Sequence, residues 1–194
     1  MSANPHYKYT DEEYLAIDRA SEHKHELIEG EIVSITGASK THNLVTISTS
    51  ANLYRRLGKG PCTLFPSDMR LRIRRGVYAY PDLTVVCGKP DIVKDQYKDT
   101  LLNPTLTIEV LSKSTEAYDR GKKMQYYRSL PSLRAVLLIS QHEAQVEYHQ
   151  KNDAGEWVVR DFEGEEGICP LEVLGIELPL AEIYERVDFD EREE

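Results

Sequence analysis

Two acidic residues interrupt otherwise apolar segments: Asp82 stands at the mouth of Leu-Thr-Val-Val-Cys (83–87), and Glu109 lies inside Leu-Thr-Ile-Glu-Val-Leu (106–111). A carboxylate in such surroundings is costly unless it is paired or holds a cation. Side chains alternate along strands, so if these two strands are neighbours in register, Asp82 and Glu109 converge on one face. Two hard oxygen donors there suit Mg²⁺ or Mn²⁺, and such an ion activates water and neutralises charge on a phosphate. The alternative is that both carboxylates accept bonds from backbone amides or from an arginine.

A positive charge must come from elsewhere, because Leu111 occupies the next position on the face of Glu109, roughly 7 Å along the strand. Downstream, Asp119, Lys123 and Tyr127 recur at i, i+4, i+8, which places all three along one flank of a helix. Lys123 is the best candidate cation, able to orient or deprotonate the attacking water or to stabilise phosphate charge; a solvated Asp119–Lys123 ion pair is the plainer alternative. Lys113 is a rival cation, about 13 Å beyond Glu109 if the strand continues. His42 can reach the edge of the site as a ligand or base, or simply bond nearby backbone, and Glu26 and Glu31 can line it. Ser112 and Ser114 read as shaping a strand-to-helix turn with Thr115 as cap, since no nucleophile-elbow context surrounds them.

The elements that position these residues follow from periodicity. Thr10 and Glu13 make a capping-box pattern opening a helix to about residue 20, and residues 25–36 read as a hairpin turning near Glu29-Gly30. Residues 41–57 carry Leu44, Ile47, Ala51 and Leu57 at helical spacing, with Thr41 as a cap and Gly58 at the stop. Strands are expected over 62–74, with a kink at Pro66-Ser67, then over 82–87 and 105–111; the last two are almost wholly apolar, as in central positions of a sheet. A helix over 115–129, a strand over 134–140, alternating segments at 145–149 and 157–161, and a short helix from Pro179 to Glu185 complete the reading. Residues 1–187 are expected to form one domain and 188–194 an acidic, frayed tail.

The 194 residues carry a net charge of −9, which argues against wrapping nucleic acid broadly, so any DNA contact must be local. Arg70, Arg72 and Arg74 alternate along one strand as a basic stripe that either grips phosphates or is an exposed sheet face paired with acidic side chains, with Arg75 beside it. Arg55, Arg56 and Lys59 either extend that stripe or complement the helix dipole. Cys62, Cys87 and Cys169 lack metal-binding spacing and read as reduced core thiols. No signal peptide or membrane span is visible, and a cytoplasmic location is expected.

The chain resembles the Uma family of restriction-endonuclease-like proteins, within the PD-(D/E)XK nuclease superfamily. The resemblance is carried by His-Glu-Leu-Ile-Glu-Gly-Glu-Ile-Val at 25–33, His42, Tyr-Pro-Asp-Leu-Thr-Val-Val at 80–86, Ile-Glu-Val-Leu-Ser-Lys-Ser-Thr at 108–115 and Asp-Arg-Gly-Lys-Lys-Met-Gln-Tyr-Tyr at 119–127. It implies an α/β restriction-endonuclease-like core (helix, three strands, helix, strand) around a mixed central sheet, the order already read from periodicity. The N-terminal helix and hairpin and the C-terminal strands are additions to that core. It also implies that Asp82 and Glu109 are the metal-binding acids and that Lys123 is a lysine displaced from the strand onto the helix. The implied activity is a Mg²⁺- or Mn²⁺-dependent DNA endonuclease, and a homodimer is expected by analogy, since cutting both strands asks for two sites. The competing hypothesis is a nuclease-derived module without turnover that binds nucleic acid or a protein partner.

Overall fold

A computed structural model describes residues 7–35 and 37–189; residues 190–194, most of the expected acidic tail, lie outside the described residues. Helix α1 (Asp11–Ala20) starts at the expected capping box, with the Thr10 side chain accepting from the Glu13 amide and the Glu13 side chain accepting from the Thr10 amide. Strands β1 (His25–Ile28) and β2 (Glu31–Ser34) form the hairpin. Its turn residues, Glu29 at φ 55° and Gly30 at φ 83°, both take the left-handed conformation that a tight two-residue hairpin requires.

Helix α2 (Lys40–Leu57) follows. Its cap is Ser39, not the expected Thr41: the Ser39 hydroxyl accepts from the His42 amide. The expected strand over 62–74 divides into β3 (Cys62–Pro66) and β4 (Arg70–Arg74), which join different sheets. The interruption at Pro66-Ser67 is therefore a change of layer, where a kink was expected. Strand β5 (Val77–Ala79) leads to β6 (Leu83–Cys87), then come β7 (Thr100–Leu101) and β8 (Leu106–Leu111). The helix expected over 115–129 comprises α3 (Glu116–Tyr118), a π-helical turn (Asp119–Lys123) and α4 (Met124–Arg128). Strands β9 (Ala135–Ser140), β10 (Gln145–Lys151) and β11 (Trp157–Glu163) follow, then the hairpin of β12 (Ile168–Leu171) and β13 (Ile176–Pro179), and helix α5 (Leu180–Ile183).

Among the described residues the strands form a five-stranded sheet, β2-β1-β5-β4-β7, a six-stranded sheet, β11-β10-β9-β8-β6-β3, and the β12-β13 pair. The larger sheet is mixed, β8 running parallel to β9 and antiparallel to β6. Both β8 and β9 are buried along their whole length. One face, with Leu83, Val85, Ile108 and Val110, packs on Val45 and Leu53 of α2. The other, with Val86, Leu111, Val136 and Leu138, packs on Met124 and Tyr127 of α4 and on Leu71 and Val77 of the five-stranded sheet. Glu109 alternates with Ile108 and Val110, so it points to this second face.

Two of the three cysteines depart from the reduced state expected. Cys62 and Cys87 stand directly opposite across the antiparallel β3-β6 pair and are joined as a disulfide, while Cys169 is a free, buried thiol. Among the described residues no helix is long and apolar enough to cross a membrane.

Candidate active site

The pairing of Leu83 with Ile108 sets Asp82 opposite Glu109 when the register is continued by one residue. The Asp82 carboxylate reaches across to β8, its Oδ2 accepting from the Val110 amide at 2.7 Å. Glu109 Oε1 accepts a short hydrogen bond from the Tyr127 hydroxyl and lies 2.9 Å from Lys123 Nζ. The same ammonium is 3.3 Å from Glu26 Oε1 and 3.5 Å from Asp119 Oδ1. Glu109, Asp119, Lys123 and Glu26 are all buried.

Each approach has a local cause. The π turn is a wider coil of the kind often found at functional sites, and here it turns both Asp119 and Lys123 inward, with Tyr127 one turn further along α4. Glu26 comes from β1, where Leu27 packs with Tyr14 and Tyr78 on one face and Ile28 on the other packs beneath the larger sheet. Glu26 shares the face of Ile28, and the Tyr80 amide fixes it by donating to Oε1 at 3.1 Å. His42, in the first turn of α2, places Nε2 3.2 Å from Asp82 Oδ2 at the more open side of the cluster.

The electrostatics are those of acids held in a protein interior. Burial pushes the Glu109 carboxyl up to about 8, against the opposing pull of Lys123. Burial raises Asp119 as well. Burial also works against the Lys123 charge, but Glu109, Glu26 and the other groups around it outweigh that and hold its ammonium well above the ordinary lysine range. Three carboxyl groups thus surround one ammonium, with the Asp82 charge also acting on Glu109, an environment short of positive charge.

Among the described residues no three His, Cys, Asp or Glu side chains stand placed to ligate one ion. The pair that could hold a divalent cation is Asp82 with Glu109. Two carboxylates with water filling the remaining positions is how Mg²⁺ is commonly held, and the local deficit of positive charge suits it.

Other expected site residues fall outside this cluster. Glu31 pairs with Lys8 at 2.7 Å on the surface. Lys113 lies beyond the end of β8 on an exposed turn, so the strand continuation that would have aligned it with Glu109 does not occur. The basic stripe is dismantled. Arg70 is 3% exposed and bound to Asp18 Oδ2 at 2.6 Å, to Asp99 and to Thr100. The β4-β5 register shifts between Arg72 and Arg74; Arg74 pairs with Glu29, and Arg72, Arg74 and Arg75 line a surface cavity with Leu102, Leu130 and Pro131. Ser112 Oγ lies 3.0 Å from both Ser114 and Thr115 hydroxyls, a closed turn. Sequence reasoning missed Gln141, a buried side chain at the end of β9 whose Oε1 accepts from the Ser39 hydroxyl and so ties the start of α2, and His42 with it, to the sheet. No local signal marks it, because its partner is far away in the chain.

The sequence profile of the Uma2 family, described as "Putative restriction endonuclease", matches residues 11–181. The chain belongs to the Uma2 family. All of the cluster lies inside the matched span. Two uncharacterized proteins of Synechocystis are similar: slr1290 at 32% identity, covering 95% of this chain and 96% of its own, and sll1609 at 38%, covering 79% and 86%. In fold, this Uma2 chain is similar to a crystal structure from Anabaena variabilis titled as a "putative nuclease belonging to DUF820". The TM-score is 0.72 at 16% identity, covering 91% of this chain and 97% of that one. The expected mixed α/β, restriction-endonuclease-like architecture is thereby borne out.

Proposed function

We propose that this protein is a divalent-metal-dependent DNA endonuclease whose reaction centre is Asp82, Glu109 and Lys123. The observation that carries the reading is the opposition of Asp82 and Glu109 across β6 and β8, with Lys123 Nζ 2.9 Å from Glu109. Asp82 and Glu109 would hold Mg²⁺ or Mn²⁺, which when bound would supply positive charge to acidify an attacking water and to offset charge on the scissile phosphate. Lys123 contributes a fixed ammonium beside that phosphate, preorganised by Glu26 and Asp119. Tyr127 holds the Glu109 carboxylate in place through its hydroxyl. His42, whose Nε2 lies 3.2 Å from Asp82 at the open side, would accept a proton there. Cutting both strands asks for two centres, so a homodimer belongs to this proposal.

One observation favours the alternative of a binding module without turnover: the Lys123 ammonium already compensates Glu109, as a purely structural ion pair would. Incubating supercoiled plasmid with Mg²⁺ or Mn²⁺ separates the two. Nicking by the wild type that is lost in Asp82→Asn, Glu109→Gln and Lys123→Met supports the nuclease; persistent absence of nicking, with a folded protein, supports the module.

A further inference from the structure

A chain of net charge −9 repels a phosphodiester polymer except where its acids are locally absent. Between Glu31 and Asp68 there is no acidic residue, while Lys40, Arg55, Arg56 and Lys59 contribute four positive charges. This segment therefore carries +4 and the rest of the chain −13, since −9 minus +4 is −13. Half of the segment is helix α2, and α2 begins at the candidate active site, where His42 meets Asp82.

The outward face of α2 is made of Asn43, Ile47, Ala51 and Tyr54, all exposed, with Tyr54 at 75%. The Arg55 side chain is 70% exposed, bonded to Asn52 and only loosely to Glu182 at 3.4 Å, and Lys59 is exposed just past Gly58. Arg56, in contrast, is taken up by Glu182 at 2.7 Å. An exposed aromatic ring flanked by exposed cations is the combination that stacks bases and meets phosphates along a nucleic-acid strand. Two copies of this chain meeting through the same face would instead oppose positive charge with positive charge.

We propose that the outward face of α2 is the surface along which a nucleic-acid strand runs to the site, Tyr54 stacking a base while Arg55 and Lys59 meet phosphates. The proposal rests on the nuclease reading of Asp82 and Glu109. Twelve residues of helix separate His42 from Tyr54, about 18 Å, or roughly five nucleotides at the rise of one duplex strand.

The test is fluorescence anisotropy of a labelled oligonucleotide, single-stranded and as duplex, in EDTA, with the full-length wild type, Tyr54→Ala, the double variant Arg55→Glu/Lys59→Glu, and Asp82→Asn. These α2 positions face solvent, so the variants fold. The charge reversals are expected to weaken binding at least about tenfold and to flatten the dependence of log affinity on log salt by about 1.5. Tyr54→Ala is expected to weaken the single strand about fivefold or more. Unchanged affinity in both α2 variants overturns the assignment. So does a Tyr54→Ala effect that sedimentation traces to loss of a dimer. Failure of the wild type to cut plasmid, with these losses of binding intact, sinks the nuclease reading and keeps the surface; cutting and binding that survive both α2 variants do the reverse.

Discussion

Lys123 Nζ lies 2.9 Å from Glu109 Oε1, an ion pair between a π-helical turn and a central strand, with both side chains under a tenth exposed. Removing one partner of such a pair leaves an uncompensated buried group. Lys123→Met should therefore lower stability by about 3 kcal/mol, the low end of the usual cost, because the Glu109 carboxyl already sits near 8 and can take up a proton. Adding Glu109→Gln to Lys123→Met should return part of that loss. Urea unfolding of the single and double variants measures it, and additive losses would contradict a direct pairing.

Arg70 and Arg74, two positions apart on β4, should respond in opposite ways. Arg70 is buried against Asp18 at 2.6 Å, so Arg70→Met should destabilise by about 4 kcal/mol. The Arg74 side chain is 48% exposed beside Glu29, so Arg74→Ala should cost less than about 1 kcal/mol. Denaturation midpoints of the two variants distinguish a structural Arg70 from a surface one.

Acid sensitivity should trace to His149. Burial, reinforced by Arg128, holds its imidazole down at about 4, while its Nε2 neighbour Glu147 is engaged by Arg120. The unfolded chain, with an ordinary histidine near 6.5, then binds more protons than the folded one between about pH 6.5 and 4. The contribution of His149 is present above that window and is lost as pH falls through it, by about 3 kcal/mol in all. His149→Gln should flatten the thermal-stability profile between pH 6.5 and 4; an unchanged profile would assign the acid response elsewhere.

The Cys62–Cys87 bridge closes a loop with a sequence separation of 25 and should contribute about 3 kcal/mol. Alkylation of the unfolded, unreduced protein should label Cys169 alone, as read by intact mass. Labelling of all three thiols would restore the reduced state read from the sequence.

Asp82 and Glu109 were legible because a charge in an apolar strand is conspicuous, and Asp119, Lys123 and Tyr127 because four-residue spacing marks one flank of a helix. What escaped depends on partners distant in sequence. Arg70 looks like its neighbours Arg72 and Arg74 until α1 brings Asp18 against it. The division of 62–74 between two sheets leaves no trace in a continuous strand-like pattern. Strands β12 and β13 carry Pro170 and Pro179, which hide a strand signal. Ser39 and Thr41 are both capping residue types, and the bond between Ser39 and Gln141 accompanies the choice of Ser39.

The most direct measurement is calorimetric titration of Mn²⁺ into the wild type, Asp82→Asn and Glu109→Gln, each checked for folding. The wild type should bind one ion, and both variants should bind it at least about tenfold more weakly. No binding by the folded wild type, or equal binding by all three, would contradict a metal centre built on Asp82 and Glu109.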